Sequence, residues 1–290
     1  MLDNPPATEA VDGEGVGAAV RRSLRNRLTR ELPGVPLRVT VGGRTVEAVT
    51  DAEGYLLVRV PAPFEAITGP WTQAFVEVSG DYRGATGILE ALVDVLVPCA
   101  DARFGIVSDV DDTILQTGVQ RVGRMILQTF TGSSLTRTPF PGVSELYQDL
   151  AAGVNPVFYV SSSPWNLHSV LLAFLRHRGC PLGPVLRHDL LGTWAGREQK
   201  HDRIQEILDL HPDLPFVLLG DSGEHDPEIY ADIVRGYPGR ILAVYIREVR
   251  LDPGDGRVEK VSGAWESEVP FVLAADSDAV RRPARSLGLL

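Results

Sequence analysis

Cysteine is nearly missing from this chain. Cys99 and Cys180 are the only two in 290 residues, which excludes a disulfide framework and a CxxC metal site. Long apolar runs are missing too: no stretch approaches the roughly 18–20 residues that span a bilayer. That excludes crossing a membrane but not touching one. The opening stretch, MLDNPPATEAVDGEG, lacks the basic and apolar regions of a signal peptide, so a cytoplasmic location is expected. Positive charge is in the minority, 28 Lys and Arg against 38 Asp and Glu for a net −10. An acidic surplus argues against a general nucleic-acid binder, whose affinity comes from cations meeting phosphates. It leaves room for a phosphorylated substrate, because local fields and bound metal override net charge. The six histidines show no HExxH or related spacing, and no zinc site is expected. What is present, 44% apolar and 23% charged residues, is the composition of an ordinary globular protein.

Four regions follow from pattern. Residues 1–34 comprise a loose, acidic, Pro- and Gly-containing tail and then a basic amphipathic helix over Val16–Leu32. Val20, Leu24 and Leu28 recur on one face among Arg21, Arg22, Arg25, Arg27 and Arg30, and Pro33-Gly34 ends the helix. Such a helix either docks on its own protein, the favoured reading, or lies on an anionic membrane surface. Residues 35–99 change to period two. Leu37–Val41, Arg44–Thr50, Tyr55–Val60, Thr72–Val78 and Ala91–Val97 read as strands of a small antiparallel, sandwich-like β domain, with Gly42-Gly43 as a hairpin turn. Residues 100–250 alternate apolar strands (104–107, 156–160, 215–219, 241–246) with helical stripes, the mark of a Rossmann-like, mostly parallel sheet covered by helices on both faces. Residues 251–290 are less periodic and form an extension packed on that core.

Ligands of an open parallel sheet bind outside the carboxyl ends of its strands. The residues following each strand are therefore the ones to collect. Ser108-Asp109-Val110-Asp111-Asp112-Thr113 follows the first and Ser161-Ser162-Ser163 the second; Lys200 lies on the helix before the third, which runs into Gly220-Asp221-Ser222-Gly223-Glu224-His225-Asp226. Carboxylates crowded at one edge repel each other, and a hard divalent cation relieves that repulsion. A carboxylate can attack phosphorus, while a hydroxyl and an ammonium hold the phosphoryl oxygens. The set suits phosphoryl transfer.

Asp109-Val110-Asp111-Asp112-Thr113 resembles the DxDxT signature of haloacid dehalogenase superfamily phosphatases, with Ser161, Lys200 and Asp221 to Asp226 in that superfamily's order. The strings FGIVSDVDDTILQTGV, TRTPFPGVSELY, NPVFYVSSSPWNL and LLGDSGEHDPEIY are more specifically similar to bacterial relatives of the actin-patch-type phosphatidate phosphatases, over roughly residues 104–247. One departure is Gln199-Lys200, where that family often has His-Lys. The resemblance implies Asp109 as nucleophile and Asp111 as general acid and then base. It makes Thr113 a brace of the loop, with Ser161 and Lys200 as phosphoryl holders. It also implies a Mg²⁺ ion held by Asp109, Asp221 and the main-chain carbonyl of Asp111, with Asp226 in support. Asp226 has a plainer reading, because Asp followed by Pro starts helices. Arg137, in Thr136-Arg137-Thr138-Pro139, is a candidate for substrate phosphate or simply a solvated loop arginine. Trp165 reads more readily as a packing aromatic than as a lipid contact.

The intervals between these motifs leave no room for a large cap domain, so bulky substrates are expected to reach the site. Phosphatidate, hydrolysed to diacylglycerol and phosphate, is the substrate the resemblance implies, with peripheral contact to a membrane. Another bulky phosphomonoester, a phosphoprotein or a nucleic-acid end, is the alternative within the enzyme class. A non-catalytic adaptor built on the β domain is the alternative outside it.

Overall fold

The structure is a computed structural model of the chain. It describes residues 32–52, 54–63, 69–84, 89–110, 113–114, 141–161, 168–187, 194–223, 225–249 and 257–290. The expected helix over Val16–Leu32 lies outside the described residues. Those residues divide into two compact units, 32–99 and 100–290.

The first unit is one antiparallel sheet of four strands in the order β2-β1-β3-β4, with β1 Pro36–Val41, β2 Arg44–Val49, β3 Trp71–Val78 and β4 Glu90–Leu96. Gly42 and Gly43 both take positive φ, 54° and 70°, which a two-residue hairpin turn requires and a side chain would resist. Arg38 lies opposite Glu47 on one side and Glu77 on the other and bonds both carboxylates at 3.0 Å. The pairs are partly exposed and fix register more than stability. Tyr55–Val60, which reads as a strand by alternation, is not one. Among the described residues the segment joins no ladder, and Leu57, one of its apolar residues, is 78% exposed, so burial does little to hold it on the sheet.

The second unit is a six-stranded parallel sheet in the order β10-β9-β8-β5-β6-β7. Its strands are β5 Gly105–Asp109, β6 Val157–Ser161, β7 Val185–Arg187, β8 Phe216–Asp221, β9 Ile241–Arg247 and β10 Phe271–Ala274. Between and after them run α1 Val143–Ala151, α2 His168–His177, α3 Trp194–Leu210, α4 Asp226–Gly236, α5 Arg257–Gly263 and α6 Ser277–Ser286. Every residue of β5, β6 and β8 is buried, as expected of strands covered on both faces. One face packs Ile106, Tyr159, Val217 and Tyr245 into a single core with Leu146 and Leu150 of α1, Phe174 of α2 and Val280 of α6. Helices α3 and α4 pack on each other and against strands β6 to β9 with the remaining apolar set.

Residues beyond Leu251 do more than pack on this core. Strand β10 extends the sheet beside β9, and α6 starts at an N-cap, Asp276, whose carboxylate accepts the Ala279 N–H at 2.8 Å. The strand order also fixes where chemistry can sit. The chain leaves β5 toward β6 and β7, then crosses back to β8 on the opposite side. The crevice at that switch opens between the carboxyl ends of β5 and β8.

Candidate active site

Asp109 is the last residue of β5, and Asp221 is the last residue of neighbouring β8. On the other side, Asp109 pairs with Val160 of β6, so Ser161 stands one residue beyond it at the same edge. All three are buried. Lys200 reaches this edge from the middle of α3. Its Nζ donates to Asp109 Oδ1 at 2.8 Å and to Asp226 Oδ1, although the ammonium is only 2% exposed. A lysine is kept charged at such burial only by carboxylates in direct contact.

Asp226 is the hinge of the arrangement. It is the first residue of α4, and the N-cap of that helix is His225, so the carboxylate is not spent on capping. Its Oδ2 accepts the Asp221 N–H at 3.2 Å while Oδ1 meets Lys200. Gly220 permits this: a Cβ there would lie 2.3 Å from Asp226 Oδ2 and 2.8 Å from Tyr230 Cε2. Tyr230, one turn along α4, donates to the Leu219 carbonyl at 2.8 Å and ties the helix to the strand end. Burial, then the nearby Asp226 carboxylate, hold its hydroxyl well above the ordinary tyrosine range, so it stays a donor. Asp221 is oriented in turn by the Gly223 N–H on its Oδ1 at 2.6 Å.

Asp109, Asp221 and Asp226 offer carboxylate oxygens within 4.8 Å of one another, all three residues buried. Three carboxylates face one amine nitrogen in a volume sheltered from water, an acidic excess of two groups. A hard divalent cation with oxygen ligands matches both that excess and that donor set. Thr113 is buried just after the strand, in a turn closed by the Ile114 N–H on the Val110 carbonyl at 3.1 Å. Asp111, Arg137 and Trp165 lie outside the described residues. The structure therefore brings together Asp109, Lys200, Asp221 and Asp226 by direct contact or mutual distance, and sets Ser161 and Thr113 at the same edge.

Other polar residues at this edge escaped the sequence reading. Arg247 ends β9 opposite Asp221, almost wholly buried, and burial lowers its pKa against the opposing pull of Tyr147 and Asp276. Its Nη2 donates to Ser277 Oγ at 3.3 Å, and that hydroxyl donates to the Pro141 carbonyl at 3.0 Å. The carboxyl-end rule points to Arg247 when carried to the fourth strand. Ser108 stands in the string collected after the first strand but carries no role there, and Tyr147 gave no such signal because it sits in an apolar helical stripe.

A parallel sheet with its switch at a strand-end aspartate, joined there by a buried lysine and two further carboxylates, defines an α/β protein with an acidic strand-end site suited to phosphoryl chemistry. Residues 104–248, half of the chain, match the family described as the catalytic domain of the phosphatidate phosphatase APP1. The chain belongs to that family. It is 32% identical over 213 residues to an uncharacterized protein of Schizosaccharomyces pombe, covering 70% of this chain and 34% of that one. It is 34% identical over 152 residues to the phosphatidate phosphatase APP1 of Saccharomyces cerevisiae, covering 50% of this chain and 26% of that one. The chain thus spans about a third and a quarter of the length of these two relatives. A haloacid dehalogenase family hydrolase of Deinococcus radiodurans, solved with phosphate and sodium, is 14% identical at a TM-score of 0.41, covering 66% of this chain and 99% of that one.

Proposed function

We propose that the chain is a Mg²⁺-dependent phosphomonoester hydrolase that works through an aspartyl-phosphate on Asp109, with phosphatidate as substrate. The observation that carries this reading is the buried cluster of Asp109, Asp221 and Asp226 locked to Lys200. Membership of the phosphatidate phosphatase family supports the choice of substrate.

Asp109 and Asp221 would hold the cation, together with the Asp111 carbonyl, with Asp226 in support. When bound, the cation neutralises charge on the phosphoryl oxygens and on the carboxylate that attacks. The Asp109 carboxylate attacks phosphorus as the bond to the leaving oxygen breaks, and Asp111 gives that oxygen its proton. Lys200 and Ser161 hold phosphoryl oxygens while charge redistributes. Asp111, now a carboxylate, takes a proton from water; the water oxygen attacks phosphorus and Asp109 is released. Asp226 keeps Lys200 on target throughout, because the same carboxylate grips both the ammonium and the Asp221 main chain.

The test is phosphate release by the purified protein from phosphatidate in detergent micelles, beside lysophosphatidate, a phosphopeptide and a 5′-phosphorylated oligonucleotide. Phosphatidate should be the best substrate, EDTA should abolish the release, and added Mg²⁺ should restore it. Full activity in metal-free buffer would remove the cation from the scheme. A preference for the peptide or the oligonucleotide would move the substrate to the other bulky class.

A further inference from the structure

Next to Asp109, on the face of the sheet covered by α1, two hydroxyl groups meet in the core. Ser108 and Tyr147 are 0% and 1% exposed, and their oxygens are 2.6 Å apart. Ser108 Oγ also lies 2.6 Å from the main-chain carbonyl oxygen of Asp109, to which it donates. A serine hydroxyl has one proton, so the Tyr147 hydroxyl must be the donor in the other bond. The result is a one-way chain from Tyr147 Oη–H to Ser108 Oγ–H to the Asp109 carbonyl, in which each bond polarises the next.

Stability does not account for this pair. A buried hydroxyl pair can be replaced by apolar groups of the same shape at little cost. Its placement is informative. The β5 ladder to β8 ends at Ser108 opposite Leu219, so Asp109 stands beyond the last rung on that side. At that point the strand turns into the Val110–Ile114 turn, and the Asp109 carboxylate must still meet Lys200 across the edge.

We propose that Ser108 and Tyr147 are positioning residues that fix the backbone of Asp109, so that its carboxylate keeps its line of attack. The idea rests on Asp109 being the nucleophile. Neither side chain touches the substrate, so their loss should slow the chemical step and leave substrate binding alone.

The experiment measures kcat and KM for p-nitrophenyl phosphate at saturating Mg²⁺, per folded enzyme, for the native chain, Tyr147→Phe, Ser108→Ala and the double variant. Each is paired with its thermal midpoint. Tyr147→Phe removes a single oxygen and preserves packing, so it should fold even if Ser108→Ala does not. The expected result is a kcat lowered by about three- to tenfold in each single variant, roughly one hydrogen bond's worth, with KM unchanged. The double variant should lose little more than Ser108→Ala, because both act through one chain of bonds. A lowered midpoint with native kcat would make the pair merely structural and overturn the proposal, as would a change confined to KM. If the native chain itself shows no phosphatase activity, the nucleophile assignment fails instead, and the two failures are distinct.

Discussion

A methyl group at residue 220 has nowhere to go. In Gly220→Ala the new Cβ would sit 2.3 Å from Asp226 Oδ2, so Asp226 must move, and with it the contact that holds Lys200. Overpacking of this kind costs about 1–3 kcal/mol. An ångström-scale displacement of a catalytic group costs about 10²-fold in rate. Gly220→Ala should therefore lower the melting temperature modestly and kcat severely, which a thermal melt and a steady-state assay on the same sample would show. Native kcat would mean that Asp226 plays no part in placing Lys200. At this scale the sequence was readable wherever a polar group ends or follows an apolar strand, as at Asp109, Ser161 and Asp221. It was unreadable where polarity hides inside an apolar pattern. Tyr147 occupies a core position by spacing, and only its distance to Ser108 reveals the pair.

Among the elements, length decides what periodicity can disclose. The strands of five to seven residues at the sheet centre announce themselves as apolar runs. Strands β7 and β10, of three and four residues, are too short for any pattern. Yet β10 and α6 are integral to the fold, since Ala274, Val280, Ala284 and Leu289 belong to the main core. Burial of Val280 and Leu289 alone contributes about 1.5–3 kcal/mol each, against a net stability of about 5–15 kcal/mol for a typical domain. A chain ending at Glu248, where the family match stops, loses α5, β10 and α6 and should lose its cooperative urea transition; an unchanged midpoint would show that these last three elements are dispensable. The loop after α3 carries a second expectation. His211 stacks on Phe158 and Phe216, with ring centroids 5.2 and 6.5 Å away. Burial, and then Arg240, lower its pKa below the ordinary 6.5. The unfolded chain thus takes up a proton that the folded chain resists, so this contribution is present above pH 6.5 and lost as pH falls toward the folded pKa. Melting temperatures measured from pH 7.5 down to 5 should fall more steeply for the native protein than for His211→Gln. Parallel slopes would exclude His211 as a source of acid sensitivity.

For the molecule as a whole, two units were legible as a change of hydrophobic period near Cys99, from two to the alternation of strands and helices. The misread strand at Tyr55–Val60 has the right local pattern, but Leu57 stays 78% exposed and the segment pairs with no described strand, so what it lacks is a partner layer and not a pattern. No described helix is long and apolar enough to cross a membrane. All of the proposed chemistry belongs to the second unit, and its central claim is that Asp109 becomes phosphorylated while Asp111 moves protons. Substituting each carboxyl by its amide separates the two roles. Asp109→Asn loses the attacking anion, whereas Asp111→Asn keeps it and loses proton transfer, worth about 10²–10⁴-fold. The most direct measurement is intact-protein mass after incubation with Mg²⁺ and a phosphate ester of a good leaving group, quenched in acid. A phosphoryl adduct that accumulates on Asp111→Asn and never appears on Asp109→Asn is the predicted result. An adduct on Asp109→Asn, or undiminished turnover by Asp111→Asn, would contradict it.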